Sequence, residues 1–322
     1  MERIFDQIVS ACIAAEDAEK LALLYHEVYG IGPWKIYEFD DYKSAVCTAL
    51  NVAFELIEPK EGTPMHEFLV RRVGSAVLGL GMSLKKDYQE TKAFLKEKGA
   101  ALFEYEKGTP EMFTFADTYN DLGMWVKLGT KEAIVYDGLE HAKTIPEDAS
   151  APKVRRYAKV GHFCLSAEPV MKYVKRYNDE YGFGPWIIVD LNEGPITDRR
   201  VHGKLIPHKT VATNCFMCDV NFEINGGTDA NSSYSEFVRK NGPGIHHVMM
   251  ELCCDPKEYL EFLTKERGFE ILQSGTMKTS GESFYYVGSE KELGFNLETF
   301  SKFPDPSDPP EYGPPLLGTY GE

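Results

Sequence analysis

Four polar residues in the second half of the chain could bind a metal ion together. His162, Glu223, His247 and Glu298 each stand in a mostly apolar run, in the order HFCLS, NFEIN, HHVMMEL and GFNLETF. A charged carboxylate inside such a run is costly unless it is paired or bound to a cation. Two imidazoles and two carboxylates suit Zn, Ni, Co, Mn or Fe as divalent ions, and ligand type alone does not choose among these metals. The residues therefore predict one divalent metal site.

An internal repeat indicates which elements position these side chains. YGIGPW at 29–34 recurs 152 residues later as YGFGPW at 181–186, and VAFELIEP at 52–59 resembles VNFEING at 220–226. A repeat of this kind indicates duplicated structural units. We divide the chain into a first domain at 1–130, a linker at 131–156 and a second domain at 157–300. A tail rich in proline and glycine follows at 301–322, and we expect no regular element in it.

Each half contains two similar units. The 3.6-residue apolar period predicts helices at 16–29, 87–98, 168–181 and 255–267. Asp87 and Asp255 are suited to cap two of these helices, since each has a glutamate three residues later. One strand-like run precedes each helix, and two or three follow it. The sequence therefore predicts an α+β fold built from four βαβββ modules.

These motifs resemble a known superfamily. VGHFCLS, FEIN, GPGIHHV and LGFNLETF look like the vicinal oxygen chelate superfamily, and most closely the branch of glyoxalase I and methylmalonyl-CoA epimerase. The resemblance covers residues 1–300 and implies that the four modules form two domains of this fold. In that family two modules surround one divalent metal ion. The pattern places the ligands on His162, Glu223, His247 and Glu298 and leaves His246 as a bystander.

The first half is an internal control for this interpretation. Alignment of the repeats puts Ser10, Glu55, Val77 and Lys127 at the positions of His162, Glu223, His247 and Glu298. Such a set cannot hold a divalent ion, because it offers one carboxylate and a cationic lysine. We therefore expect the first domain to keep the fold and to have lost the metal site.

The second half also contains 16 more residues than the first between its helix motif and its FEI strand. They fall within 191–211, next to the predicted site. Long insertions in compact domains are often lids or substrate loops. His202 and His208 in this segment could act as a general base or acid, since imidazole titrates near neutral pH. In the strand before Glu298, we expect Tyr285 or one of its neighbours to line the pocket.

The resemblance implies an isomerase or epimerase, or a related lyase. Such an enzyme removes a proton alpha to a metal-polarised carbonyl and passes through an enolate. Glu298 or Glu223 would serve as a base, and His208 or His202 would supply a second proton donor. The implied partner is a small molecule that carries a carbonyl group.

Two other functions remain open. Extradiol ring-cleaving dioxygenases resemble this chain in length and in their four modules, and they hold Fe(II) with two histidines and one glutamate. Glu223 argues against this alternative, because a fourth protein ligand occupies a position that the oxygenase needs free. The other alternative is a protein that binds a small ligand without catalysis.

Composition excludes several classes of protein. The 322 residues include 35 Lys+Arg and 50 Asp+Glu, for a net charge of −15, and such an acidic chain is not expected to bind nucleic acid. No apolar run reaches the roughly 18 residues needed to span a membrane. The seven cysteines are expected to be reduced thiols in a cytoplasmic protein. A homodimer stays open, since the duplicated fold could dimerise again.

Overall fold

A computed structural model describes residues 3–105, 113–192, 196–301 and 316–321. The described residues of the first half form nine strands and five α-helices. The strands are β1 (Phe5–Ala14), β2 (Trp34–Glu38), β3 (Tyr42–Cys47), β4 (Ala53–Pro59), β5 (Ala76–Leu84), β6 (Ala101–Tyr105), β7 (Phe113–Asp117), β8 (Trp125–Gly129) and β9 (Lys143–Ile145). The helices are α1 (Ala18–Leu24), α2 (Pro64–Arg72), α3 (Tyr88–Glu97), α4 (Tyr119–Leu122) and α5 (Lys131–Ile134).

The second half repeats this order with additions. Its strands are β10 (Tyr157–Ser166), β11 (Trp186–Asp190), β12 (Ile196–Val201), β13 (Lys204–Leu205), β14 (Thr210–Met217), β15 (Val220–Gly227), β16 (Gly244–Leu252), β17 (Ile271–Met277), β18 (Ser283–Val287), β19 (Asn296–Phe300) and β20 (Leu316–Tyr320). Its helices are α6 (Val170–Tyr181), α7 (Ser233–Asn241), α8 (Pro256–Glu261) and α9 (Glu290–Leu293). π-Helical turns at Tyr25–Tyr29 and Phe262–Glu266 continue α1 and α8.

The strands form two sheets, and each sheet joins two modules. The strand order is β6-β7-β8-β5-β1-β4-β3-β2-β9 in the first sheet and β13-β12-β17-β18-β19-β16-β10-β15-β14-β11-β20 in the second. In every module the first strand pairs with the last, and the two middle strands follow outward. The α+β fold with four βαβββ modules is therefore confirmed.

The four predicted helices are present, and their caps explain where they begin. The Asp87 side chain accepts hydrogen bonds from the backbone N–H groups of Gln89 and Glu90, and Asp255 does the same for Lys257 and Glu258. These bonds satisfy amide groups that have no partner inside the helix. Sequence periodicity did not predict α2 and α7, which connect the two modules of each half.

The repeated aromatic motif is part of the core. Trp34 and Trp186 begin β2 and β11, and both are fully buried. Each indole N–H donates a hydrogen bond to the carbonyl three residues earlier, that of Ile31 or Phe183. The motif recurs because a large aromatic residue must fill the same position in both halves.

Strand pairing corrects one residue of the repeat alignment. Ser10 and His162 match, as do Glu55 and Glu223, because β1 pairs with β4 in the register that β10 has with β15. His247, however, pairs with Asn296, two residues before Glu298, and it is Gly79 that pairs with Trp125, two residues before Lys127. The residue that matches His247 is therefore Gly79, and the assignment to Val77 is wrong. Pairing with the neighbouring strand fixes the register, and an alignment without gaps contains no information about this pairing.

The chain divides into two compact units. The first unit is Glu2–Val160 with Glu290–Gly294, and the second is Gly161–Ser289 with Phe295–Glu322. The 131–156 segment, which the sequence suggested as a linker, lies within the first unit. It contains α5, the buried Tyr136 and β9, which pairs with β2.

The tail is more regular than its composition indicates. Residues 316–320 form β20 on β11, so the expectation that the tail contains no regular element is wrong for these residues. An edge strand offers unpaired backbone groups that a short segment can satisfy. Residues 302–315 and 322 of the tail lie outside the described part of the chain.

The insertion forms a hairpin rather than a loop. β12 and β13 pair with each other, and β12 extends the sheet beyond β17. Ile196 of β12 joins a buried cluster with Met277 and Tyr286. Residues 193–195 of the insertion lie outside the described residues. Within the described part of the chain, no helix combines the length and apolarity required to cross a membrane.

Candidate metal centre

Four adjacent strands carry the four predicted ligands. The strands lie in the order β19, β16, β10 and β15, and they contribute Glu298, His247, His162 and Glu223. Side chains alternate between the two faces of a strand, so the register of neighbouring strands decides which side chains meet. His162, His247 and Glu298 come together as a buried group that could hold a metal ion.

The three atoms that could bind the ion form a small triangle. His162 Nε2 lies 2.7 Å from Glu298 Oε2, His247 Nε2 lies 3.1 Å from the same oxygen, and the two nitrogens are 3.2 Å apart. Two ligands at about 2.1 Å from a metal ion and at right angles to each other are about 3.0 Å apart. The spacing therefore matches one face of an octahedral coordination sphere.

The hydrogen bonding of Glu298 fits a cation at this place. Its Oε2 is buried and receives no well-directed hydrogen bond from any described residue, although both imidazoles are close. A buried carboxylate oxygen without a hydrogen bond is costly in free energy, and a bound cation would satisfy it. Burial raises the pKa of Glu298, but the charges of His247 and His162 outweigh burial and lower it to about 2.

Glu223 lies beside this triangle. Its Oε1 is 3.5 Å from Nδ1 of His162, and its carboxylate accepts hydrogen bonds of 3.1 Å from the amide of Asn221 and 2.7 Å from that of Asn225. It also belongs to a second group of potential ligands with Cys164 and His247. Burial raises the pKa of Glu223 above its usual value. Its role as a fourth ligand stays a prediction.

Further residues hold the imidazoles in place. Nδ1 of His246 lies 2.9 Å from Nδ1 of His247, so His246 contacts a predicted ligand. Asn296 donates a hydrogen bond of 3.0 Å to the backbone carbonyl of His246. The ring of Tyr286 stacks on His247 at 4.4 Å between centroids and 20° between planes. Partners of this kind fix the orientation of a metal-binding histidine.

The sequence left open whether Tyr285 or one of its neighbours lines the pocket, and Tyr286 is the residue that reaches the cluster. Tyr286 pairs directly with Glu298 across β18 and β19, so both side chains share one face of the sheet. Tyr285 pairs with Thr299, on the other face. Counting two-residue alternation back from Glu298 requires knowledge of the hairpin register, which the sequence did not supply.

The two histidines of the insertion contact other groups. His202 stands at the tip of the β12–β13 hairpin, where each ring nitrogen lies 2.8 Å from a carboxylate oxygen, one of Glu236 and one of Glu270. Hydrogen bonding to Glu236 is the main cause that raises the pKa of His202. His208 is buried, contacts the carbonyl of Ile206, and has a pKa lowered by burial. The described contacts of both residues do not include the four predicted ligands, and their catalytic roles stay predictions.

In the first unit a lysine occupies the corresponding place. Nζ of Lys127 lies 2.8 Å from Glu55 Oε2, donates a 2.7 Å hydrogen bond to the carbonyl of Ile134 and sits 3.8 Å from the ring centre of Tyr136. A Cβ at Gly79, the position equivalent to His247, would lie 1.9 Å from the carbonyl oxygen of Trp125. The backbone therefore excludes a histidine there, and an ammonium group meets the carboxylate.

Comparisons with known proteins agree on the fold. No protein-family model and no curated protein match the chain. A triple mutant of 4-hydroxymandelate synthase from Streptomyces coelicolor is similar in structure, with a TM-score of 0.61, 12% identity and coverage of 92% of both chains. A fusion of a xylose isomerase-like TIM barrel with 4-hydroxyphenylpyruvate dioxygenase gives 0.54 and 13% identity over 92% of this chain and 49% of that one.

A Mn(II)-bound glyoxalase from Novosphingobium aromaticivorans gives a TM-score of 0.49 and 12% identity, over 92% of this chain and 82% of that one. Similarity at this level of identity concerns the fold alone. The comparisons therefore show the fold, two sheets that each join two βαβββ modules, and this is the fold that the resemblance in the sequence implied.

Proposed function

We propose that the chain is a metal-dependent isomerase or epimerase, or a related lyase, that moves a proton alpha to the carbonyl of a small substrate. The observation that carries the proposal is a carboxylate held beside a triangle of metal-binding atoms. Glu223 is anchored by two amide groups 2.7 and 3.1 Å away and lies next to His162 without being part of the triangle.

His162, His247 and Glu298 would hold the ion on one side and leave the opposite side for the substrate. Zn, Ni, Co, Mn and Fe all suit two imidazoles and one carboxylate. When bound, a divalent ion would polarise a substrate carbonyl and make the neighbouring proton more acidic. His246 and Tyr286 keep the His247 imidazole oriented.

Glu223 supplies the base in this proposal. A general base must lie within hydrogen-bonding reach of the proton that it removes. The amides of Asn221 and Asn225 hold the Glu223 carboxylate in one orientation. The carboxylate therefore need not rotate before it accepts the proton. A proton taken up by Glu223 can be returned to another carbon or to the opposite face with the help of a second donor.

The test is exchange of the alpha proton with deuterated solvent, followed by NMR. Metal-loaded protein would be offered 2-oxo acids, hydroxyketones and acyl thioesters. We expect exchange with at least one class, and a loss of about 100-fold or more in Glu223→Gln with its metal content retained. Glu261→Gln, on an exposed face of α8, is the matched control and should not change the rate. Absence of exchange with every class in fully loaded protein would contradict the proposal.

A second candidate is an Fe(II)-dependent ring-cleaving dioxygenase. The triangle of two histidines and one glutamate favours it, because that set is typical of non-haem Fe(II) oxygenases with open positions. The structural relatives include a protein named as a 4-hydroxyphenylpyruvate dioxygenase fusion. Oxygen consumption by Fe(II)-loaded protein with a catechol, without exchange of any alpha proton, would place this function first.

A further inference from the structure

A second set of potential ligands overlaps the candidate metal centre and includes a thiol. Sγ of Cys164, a carboxylate oxygen of Glu223 and a ring nitrogen of His247 all lie within 4.8 Å of one another. All three residues are buried. Cys164 follows His162 by two residues, so both side chains lie on the same face of β10. This face therefore offers a sulfur atom as well as an imidazole.

The first unit shows what the same thiol and carboxylate accept as a neighbour. Cys12 pairs with Glu55 across β1 and β4 in the register in which Cys164 pairs with Glu223. Sγ of Cys12 lies 3.4 Å from Oε2 of Glu55, and Nζ of Lys127 lies 2.8 Å from the same oxygen. In the first unit a positive charge thus sits beside this pair.

The second unit has a carboxylate where the first has this cation. Strand register places Glu298 at the position of Lys127, so a negative charge replaces a positive one. A buried carboxylate such as Glu223 is costly unless a cation accompanies it. A bound ion would supply the charge that a lysine supplies in the first unit.

The two ligand sets suit different ions. A thiolate is a soft ligand and favours ions that accept sulfur, such as Zn(II), Co(II) and Cd(II), whereas carboxylate and imidazole also suit Mn(II). Ligands at about 2.1–2.3 Å from a tetrahedral ion are about 3.4–3.6 Å apart. Atoms within 4.8 Å of one another reach this spacing by shifts of about 1 Å. Because both sets use His247, the cluster holds one ion at a time.

We propose that Cys164, Glu223 and His247 form an alternative metal position, which ions that accept sulfur occupy in preference to the triangle of His162, His247 and Glu298. When the thiolate binds, the thiol proton passes to solvent and no electron is transferred. The inference rests on the proposed function for its consequence. An ion in the alternative position takes Glu223 as a ligand and so removes the base, which makes Mn(II) the better activator.

The first test detects the bond between sulfur and metal directly. A thiolate bound to Co(II) absorbs intensely in the near ultraviolet by charge transfer, which nitrogen and oxygen ligands do not produce. Wild-type protein with one equivalent of Co(II) should show this absorption, and Cys164→Ala should lose it. Cys12→Ala is the matched control, because Cys12 has the equivalent position in the first unit and is equally buried. It should keep the absorption.

The second test compares the affinities for two ions by competition with a coloured chelator. In Cys164→Ala, Kd for Cd(II) should rise about 100-fold, as the loss of one ligand allows, while Kd for Mn(II) changes less than threefold. Cys164→Ser, which nearly keeps the side-chain volume, should behave in the same way. In Cys12→Ala neither Kd should change.

Two results would overturn the inference. One is Co(II)-loaded wild-type protein without the charge-transfer absorption. The other is an equal loss of Cd(II) and Mn(II) affinity in both Cys164 variants, which would assign the thiol a merely structural role. Failure of the proposed function appears differently, because Mn(II)-loaded protein would then exchange no alpha proton whatever the Co(II) spectrum shows.

Discussion

Glu55 and Lys127 form a buried ion pair at the position where the second unit carries its candidate metal ligands. Both side chains have at most 1% exposure, and their charged atoms are 2.8 Å apart. Tyr136 and Ser44 donate further hydrogen bonds to the same carboxylate. The same position in the fold thus contains a carboxylate with a protein cation in one unit and a set of candidate metal ligands in the other.

At this scale we predict that Lys127→Met destabilises the protein strongly. The substitution leaves Glu55 buried without its counter-charge, which lowers the free energy of unfolding by about 3–5 kcal/mol. Urea denaturation followed by tryptophan fluorescence measures the change. The double variant Glu55→Gln/Lys127→Met should recover most of the loss, because it removes both charges together.

Lys265→Met is the control, since Lys265 pairs with Glu261 on an exposed helix surface. Its effect should stay within about 0.5 kcal/mol. A Lys127→Met protein as stable as the wild type would show that the pair is not needed for folding.

The hairpin of β12 and β13 is the main element that distinguishes the second unit from the first. β12 pairs along β17 from Ile196 to Val201, and its tip is held by His202 between two carboxylates. His202 connects the hairpin to Glu236 of α7 and to Glu270 before β17. The His202 imidazole therefore connects the inserted hairpin to α7 and to the segment that precedes β17.

We predict that this attachment depends on pH. Glu236 and Glu270 raise the pKa of His202 in the folded protein, so protonation favours folding. The stabilisation is complete below the unfolded pKa of about 6.5 and is lost as pH rises through the higher folded value. His202→Asn, which tolerates the positive φ of 49° at this position, should lower Tm at pH 6 and have no effect at pH 9.

His141→Asn provides the comparison, because the His141 ring contacts the Thr144 hydroxyl rather than a carboxylate. Its effect on Tm should be the same at both pH values. A His202→Asn difference that is constant with pH would show that the ion pairs with Glu236 and Glu270 contribute nothing.

The two units have the same fold, but different buried side chains occupy equivalent positions in them. In the first unit a Cβ at Gly79 would meet the backbone of Trp125, and Lys127 already supplies a cation. In the second unit three buried side chains converge on one point. Both units therefore share the four-strand plan of each module, while the second sheet has added strands and the two sheets enclose different side chains.

We predict one divalent metal ion per chain. Elemental analysis after loading and desalting should give about one equivalent in the wild type and less than a tenth in His162→Ala. Glu55→Gln/Lys127→Met, which alters only the first unit, should keep one equivalent. Two equivalents in the wild type would contradict the assignment of a single site, and added metal should raise Tm in proportion to its binding.

The sequence by itself determined the modules and the candidate ligands. Helix periodicity and caps such as Asp87 and Asp255 are local, so four helices could be placed without a structure. The repeated YG–GPW motif revealed the duplication, and polar residues in apolar strands singled out four candidate ligands, His162, Glu223, His247 and Glu298. These signals are readable because each depends on neighbours in the chain.

The tertiary structure decided which distant residues meet. Sheet register replaced Val77 with Gly79 as the match of His247 and selected Tyr286 over Tyr285. Backbone pairing at open sheet edges drew 143–145 and 316–320 into strands despite their composition. Contacts such as that between Tyr234 and Tyr286 join residues 52 positions apart, and no local preference encodes them. Hydrogen bonding between strands and the packing of buried side chains act across the chain, so only the folded molecule reveals their outcome.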